Sequence, residues 1–126
     1  MYESDLKHPS KALEEKLYKL YTLNRDKTID LSFRPPFLNL LKAFDNPQNN
    51  LPPVIHVAGT NGKGSIIATL KSIYEAAGYS VHTYTSPHLI RFNERIVING
   101  KPIDNQSLES LIDEALDKNG GADCTF

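Results

Sequence analysis

The sequence of 126 residues has little cysteine and no long apolar run. Its single cysteine, Cys124, cannot form an internal disulfide, and no Cys and His residues have the spacing of a zinc site. No apolar run approaches the roughly 18 residues needed to cross a bilayer. The N-terminal stretch MYESDLKHPS lacks the apolar core of a secretory signal. These absences predict a cytoplasmic chain with no membrane segment.

Charge of either sign is also not in excess. The sequence has 14 basic and 15 acidic residues, for a formal net charge of −1. This balance gives no electrostatic reason to expect nucleic acid or an anionic membrane as a partner. With 40% hydrophobic and 23% charged residues, the composition excludes a disordered or collagen-like chain and favours one folded domain. Oligomeric state is not indicated.

Apolar residues repeat at helical spacing in four segments. We predict helices over 10–24, with Ser10 as N-cap, over 36–44, from 66 to a stop at Gly78, and from 105 to 118. In the last helix the residues expected to face inward are Leu108, Leu111, Ile112, Ala115 and Leu116. The segment QNNLPP between the second and third helices is expected to be a loop.

Two short β-rich runs flank the third predicted helix. The run VIHVA, residues 54–58, is apolar on both faces, which is typical of a buried central parallel strand. The run SVHTYT, residues 80–85, predicts a second strand, so that strand, helix and strand would form a right-handed βαβ unit. Further on, ERIVINGKPI predicts a hairpin at Asn99-Gly100, with Pro102 confined to an edge strand.

The stretch HVAGTNGKGSIIATL, residues 56–70, places glycines between the predicted strand and helix. Backbone N–H groups at a helix N-terminus favour an anion. The helix after Gly62 has no acidic side chain until Glu75, and it has Lys63 at its start, where a cation opposes the helix dipole. A bound anion would reverse this unfavourable interaction. The stretch therefore predicts a phosphate site.

Each residue type in this loop suits a nucleotide triphosphate. Gly62 and Gly64 would let the backbone approach phosphate oxygens, and Lys63 would reach the β and γ phosphates. Ser65 or Thr60 could offer a hydroxyl to Mg²⁺. The loop departs from the common form G-x-x-x-x-G-K-[ST], because its first glycine is replaced by valine and a glycine follows the lysine directly. A plain glycine-rich turn with a solvated lysine is the open alternative.

A second motif, TSPHLIRFNERIVING at residues 85–100, follows the second predicted strand, where function is expected in α/β sheets. Together the two stretches resemble the folylpolyglutamate synthase and dihydrofolate synthase family of Mur-ligase-type ATP-dependent ligases. The motifs AGTNGKGS, AAGY, TSPHL and F-x-ERI-x-x-NG occur in the family's order and spacing. KTIDL, from Lys27, is similar to its N-terminal substrate loop.

The resemblance implies an α/β fold, namely the N-terminal part of a P-loop parallel-sheet domain with covering helices, here truncated. Residues 1–52 would form a helical lead-in with a folate-binding loop. Residues 53–126 would hold the P-loop βαβ unit, a substrate loop and a final helix. The implied activity is that of an acid–amino-acid ligase, which uses ATP to phosphorylate a folate or dihydropteroate carboxylate and then adds L-glutamate to the acyl phosphate.

The resemblance also implies roles for particular residues, with Lys63 as the catalytic cation. The residues that would hold ATP are Gly59, Thr60, Asn61, Gly62, Lys63, Gly64 and Ser65. Those that would bind Mg²⁺ are Ser65 and Ser86. Those that would contact the substrates are Asp30, Leu31, Ser32, Pro87, His88, Arg91, Glu94 and Arg95.

Alternative readings remain. Family members are several times longer, so the chain could be an inactive remnant or split-gene product with residual nucleotide binding, and we expect no turnover from it alone. A Mur-type cell-wall ligase would usually have threonine directly after the lysine. A generic P-loop kinase or GTPase would have the consensus residues at the two loop positions that differ here, namely the first glycine and the residue after the lysine. His56 and His82, within predicted strands, are expected to be hydrogen-bonded core or edge residues rather than catalysts.

Overall fold

The computed structural model describes residues 9–22 and 35–120. The chain divides into two compact units, one made of residues 1–52 with 105–126 and the other of residues 53–104. The helices are α1 (Lys11–Thr22), α2 (Pro35–Ala43), α3 (Lys63–Ala76) and α4 (Asn105–Asn119), and the strands are β1 (Thr83–Tyr84), β2 (Ile96–Ile98) and β3 (Lys101–Pro102). Within the described ranges, no helix has the length and apolarity to cross a membrane.

The first unit is a helical cluster in which α4 contacts both α1 and α2. Its buried apolar side chains are Leu13, Leu108 and Ile112. The predicted N-cap of α1 is confirmed, because the Leu13 N–H donates to Ser10 Oγ over 3.1 Å. The Lys16 ammonium joins α1 to α4 by ion pairs of 2.9 Å with Glu109 and 2.7 Å with Asp113. These contacts raise the pKa of Lys16, chiefly through the hydrogen bond with Asp113.

The prediction that Leu111 of α4 faces inward is wrong. Leu111 is 48% exposed, whereas its neighbour Ile112 is buried. Successive residues of an α-helix point about 100° apart, so a narrow seam buries one of them and leaves the other at its margin. The apolar pattern of the sequence therefore predicts a wider buried face for α4 than the structure has.

In the second unit, α3 ends as its sequence predicts. Gly78 has φ of 86°, and its N–H donates to the Glu75 carbonyl over 3.0 Å, while the Tyr79 N–H donates to the Tyr74 carbonyl over 3.0 Å. This pair of bonds is a Schellman motif, which satisfies the last helix carbonyls. The Tyr74 and Tyr79 rings meet edge to face at 5.8 Å, which supplies the apolar contact that accompanies such ends.

The sheet of this unit is antiparallel and has the order β1-β2-β3. The predicted hairpin is confirmed, since Asn99 and Gly100 have φ of 49° and 77°, as a two-residue type I′ turn requires. Pro102 lies on the edge strand β3, as predicted. The buried residues beside this sheet are Phe92, Asn93 and Ile103, and the Asn93 side-chain amide donates to the Ile103 carbonyl over 2.7 Å.

The predicted buried strand at 54–58 is not formed. Val54 is 70% exposed, and the segment has no strand hydrogen bonding. The second predicted strand is shortened to Thr83–Tyr84, which pairs antiparallel with β2 and not parallel with 54–58. An apolar run becomes a strand only where neighbours supply hydrogen bonds and cover, and no strand of the described chain pairs with this one. The predicted loop after α2 also begins as a 3-10 turn, Pro47–Asn50.

Candidate functional site

The glycine loop leads directly into the N-terminus of α3. Gly62 is the N-cap residue, with φ of 77° and ψ of −2°, and its carbonyl accepts the Ile66 N–H over 3.0 Å. No side chain caps this helix end, and its first turn contains no acidic residue. The first backbone N–H groups of α3 are therefore left without an intrahelical or capping partner, which favours an anion there.

Glycine keeps the space around this loop open. A Cβ added at Gly62 or Gly64 would meet nothing within 4 Å, and one added at Gly59 would meet only the Asn61 carbonyl at 3.9 Å. The positive φ of Gly62 would also strain any other residue. The predicted roles of Gly62 and Gly64 in backbone approach are compatible with this geometry.

Lys63 is the cation of the loop. Its Nζ donates to the Gly59 carbonyl over 2.5 Å and lies 3.5 Å from the Thr60 carbonyl. The ammonium is thus folded back over the loop and not extended into solvent. Its positive charge adds to that of the open helix N-terminus, so both favour an anion at the same loop.

Two exposed hydroxyls, those of Ser65 and Ser86, lie in the same compact unit. Their oxygen donors are of the type that Mg²⁺ accepts, and Mg²⁺ usually binds through few protein oxygens together with phosphate and water. Within the described ranges, no group of three or more His, Cys, Asp or Glu side chains could hold a metal ion. Hydroxyl oxygens of this kind suit a metal ion that is shared with a phosphate ligand.

The segment from 85 to 95, here called the substrate loop after the role that the sequence predicts for it, is organised by Glu94. Its carboxylate accepts the backbone N–H groups of Leu89 at 2.9 Å, Ile90 at 3.1 Å and Arg91 at 2.8 Å. The hydrogen bond from Leu89 is the main cause that lowers the pKa of Glu94 below its ordinary value. Burial opposes this effect, and the bonds from Arg91 and Ile90 reinforce it.

A second cluster stabilises the base of the substrate loop. The Arg95 Nε donates to His88 Nδ1 over 2.9 Å, and the Arg95 guanidinium lies 4.9 Å from the centroid of the Phe92 ring. The His88 and Phe92 rings are 5.8 Å apart. The Ser86-Pro87 peptide bond that precedes this cluster is cis.

The structure brings most of the predicted site residues into one unit. Residues 59–65 and the predicted residues between 86 and 95 all lie within residues 53–104. Asp30, Leu31 and Ser32 lie outside the described residues. His56 and His82 are both exposed, so neither is a core histidine, although His82 Nδ1 accepts the Asn99 N–H over 3.2 Å.

Sequence reasoning missed the buried pair Phe92 and Asn93. Phe92 is part of the F-x-ERI motif, but the motif alone does not predict that this side chain is buried. Its large ring between a loop and a hairpin could have indicated a small local core. The burial of Asn93 had no such signal, because it depends on a carbonyl ten residues away, that of Ile103.

Known proteins were compared with this chain, and no family model matches it. A dihydrofolate synthase/folylpolyglutamate synthase of Bacillus subtilis (strain 168) is 44% identical over 75 residues, which are 60% of this chain and 17% of that protein. The solved structure of E. coli FolC in complex with DHPP and ADP matches with a TM-score of 0.72 and 34% identity, covering 90% of this chain and 27% of that one. The chain is similar to one part of the folylpolyglutamate and dihydrofolate synthases.

A second solved structure, an FPGS-AMPPCP-folate complex, matches with a TM-score of 0.72 and 32% identity over 90% of this chain and 28% of that one. The predicted resemblance to folylpolyglutamate and dihydrofolate synthases is therefore confirmed. The fold class, a partial α/β domain, is confirmed as well. The chain spans between 17% and 28% of the lengths of these relatives.

Proposed function

We propose that this chain provides the phosphate loop and the substrate loop of an ATP-dependent ligase that adds L-glutamate to a folate or dihydropteroate carboxylate. The observation that carries the proposal is the uncapped, acid-free N-terminus of α3, with the Lys63 ammonium folded over the loop before it. Similarity to folylpolyglutamate and dihydrofolate synthases supports the choice of substrate class. Such a reaction would take place in the cytoplasm.

ATP would bind by its phosphates along residues 59–65. The backbone N–H groups that follow Gly62 would donate to phosphate oxygens, and Lys63 would exchange its present carbonyl partners for the β and γ phosphates. Thr60, Asn61 and Ser65 are exposed around this position and would add polar contacts. The E. coli relative was solved with ADP and the second structure with AMPPCP, which supports a nucleotide as the ligand.

Mg²⁺ would be held by the hydroxyls of Ser65 and Ser86, with phosphate oxygens and water completing its coordination. When bound, the ion would neutralise negative charge on the phosphates.

Pro87, His88, Arg91 and Arg95 are the proposed contacts to the folate-type substrate from the substrate loop. Glu94 belongs to the same proposed site through the loop backbone that its carboxylate holds. Asp30, Leu31 and Ser32 are the proposed contacts from the N-terminal segment.

The proposed chemistry depends on position and charge. A substrate carboxylate would attack the γ-phosphorus of ATP and displace ADP, which gives an acyl phosphate. The amino group of L-glutamate would then attack the acyl carbon and displace phosphate, which leaves an amide. The task of this chain would be to hold the γ-phosphate and the carboxylate in line and to stabilise charge on the transferred group through Lys63.

A second candidate is residual nucleotide binding without catalysis. No residue of α3 is buried, and Val54 and Ile55 of the predicted strand are exposed. These observations favour a phosphate loop that binds ATP without catalysis.

Calorimetric titration of the chain with Mg·ATP, and separately with a dihydropteroate-type ligand, tests both candidates. The ligase proposal predicts heat with each ligand. Heat with Mg·ATP alone would support residual nucleotide binding. Heat with neither ligand would contradict the phosphate site itself.

A further inference from the structure

We propose that Glu94 is a positioning residue, which fixes the backbone of residues 89–91 so that Leu89 and Ile90 form an apolar contact for the aromatic part of the folate-type substrate. The inference rests on the proposed function and deepens it. Glu94 would act through the loop and would not itself touch the substrate.

The first step is the geometry around the carboxylate. Glu94 Oε2 accepts the Leu89 N–H at 2.9 Å, and Oε1 accepts the N–H groups of Ile90 at 3.1 Å and of Arg91 at 2.8 Å. Three consecutive N–H groups thus converge on one carboxylate, as they do in backbone anion-binding nests. Both oxygens are engaged, so this side chain is poorly suited to contact a substrate that itself carries carboxylates.

The second step is the exposure of the residues that Glu94 fixes. Leu89 is 93% exposed and Ile90 is 83% exposed, more than any other large apolar side chain that the structure describes. A single exposed apolar side chain is ordinary, but the adjacent pair Leu89 and Ile90, on a backbone held at three points, presents a defined apolar surface. The N–H groups point to Glu94 while the side chains remain in solvent.

The third step is the charge in the same loop. Arg95 is held by His88 and by the Phe92 ring, and Arg91 adjoins the apolar pair in sequence. An apolar pair and two cations in one short loop match a ligand with a flat ring at one end and a carboxylate at the other. A folate-type molecule has this chemistry, and one similar solved structure is a complex with folate.

The test compares three variants of the full chain with the unmodified chain. Glu94→Ala removes the anchor, Leu89→Ser removes half of the apolar contact, and Glu114→Gln is the matched control, because Glu114 is an exposed glutamate that pairs with Lys118 on α4. For each, the affinities for a dihydropteroate-type ligand and for Mg·ATP are measured, together with amide hydrogen exchange at residues 89–91.

Glu94→Ala and Leu89→Ser should each weaken binding of the dihydropteroate-type ligand by about tenfold, the effect of losing one leucine-sized apolar contact. Both should leave Mg·ATP affinity unchanged, and Glu114→Gln should change neither. Only Glu94→Ala should speed amide exchange at 89–91, because only it removes the acceptor of those N–H groups. The exchange measurement therefore distinguishes the positioning role of Glu94 from the direct contact made by Leu89.

Several results would overturn the proposal. Unchanged exchange at 89–91 in Glu94→Ala would remove the positioning role, whatever the ligands do. Unchanged affinity for the dihydropteroate-type ligand in Glu94→Ala and Leu89→Ser would remove the apolar contact while leaving the proposed function intact. An equal loss of Mg·ATP affinity would show a general structural defect. If the unmodified chain binds neither ligand, the proposed function fails, and the exchange measurement still decides the role of Glu94.

Discussion

Two charged side chains of the second unit are bound by backbone groups of the opposite polarity. The Lys63 ammonium lies on the carbonyls of Gly59 and Thr60, and the Glu94 carboxylate lies on three N–H groups. The difference matters for function. Lys63 can exchange weak carbonyl partners for a phosphate, whereas the three charge-assisted bonds of Glu94 would have to be broken before it could bind a ligand.

The anchoring by Glu94 predicts a pH-dependent stability. Because the hydrogen bonds favour the ionised carboxylate, the stabilisation is complete above the ordinary glutamate pKa of 4.5 and is lost as the pH falls through the lower pKa of the folded state. At neutral pH, Glu94→Gln should lower the free energy of unfolding by about 1 kcal/mol, a modest value because the loop is open to solvent. Urea unfolding of the unmodified chain and of Glu94→Gln, measured from neutral pH to below the folded-state pKa of Glu94, checks this difference.

The difference between the two proteins should disappear once the carboxylate is protonated. Glu94 supplies the carboxylate that accepts the three N–H groups, so protonation of Glu94 removes the anchor. A difference of the same size at neutral pH and well below the pKa would contradict the carboxylate as its cause. Glu114→Gln, which removes a charge from α4, is the control for net charge.

At the scale of elements, the helical unit depends on its seam between α1 and α4. Leu13 is fully buried there, so Leu13→Ala should lower the free energy of unfolding by about 2–5 kcal/mol through lost burial and the cavity left behind. Leu111→Ala is the matched control, since Leu111 is 48% exposed and its loss should cost less than about 1 kcal/mol. Urea unfolding measures both, and equal costs would contradict the described seam.

The backbone geometry at the start of α3 predicts different effects for alanine at Gly62 and at Gly64. Gly62→Ala places a side chain at φ of 77°, so it should lower the free energy of unfolding by about 1–2 kcal/mol. Gly64→Ala makes the same chemical change inside the helix, where a Cβ meets nothing within 4 Å. It should leave stability unchanged or raise it by up to about 1 kcal/mol. The comparison is made without ligand, and a reversed order would contradict the left-handed N-cap.

Local signals in the sequence were sufficient to predict where helices begin or end and where the hairpin turns. Ser10 as a cap, Gly78 as a helix stop and Asn99-Gly100 as a turn were all predicted, because each depends on the backbone of a few adjacent residues. The strand predicted at 54–58 is not formed, since burial and strand pairing depend on segments far along the chain. The anchoring of residues 89–91 by Glu94 also could not be predicted, because the motif gives its residues but not the path of its loop.

At the scale of the whole molecule, residues 59–65 and the substrate loop lie in one unit. The chain spans 27% of the E. coli structure it matches. The motifs predicted the similarity to folylpolyglutamate and dihydrofolate synthases and the fold class, because several of them occur together at fixed spacing. The motifs carried no information on how α3 and residues 54–58 are covered, and no residue of either segment is buried in this structure.

The central claim is that the loop before α3 receives the phosphates of a nucleotide. Calorimetric titration with Mg·ATP of the unmodified chain, of Lys63→Ala and of Lys71→Ala tests it most directly. Lys71 is the matched control, because it lies on the same helix and is paired with Glu75. We expect Lys63→Ala to weaken binding by about 10- to 100-fold, or roughly 1.5–3 kcal/mol, and Lys71→Ala to bind normally. Equal affinity in all three proteins, or no binding by the unmodified chain, would contradict the claim.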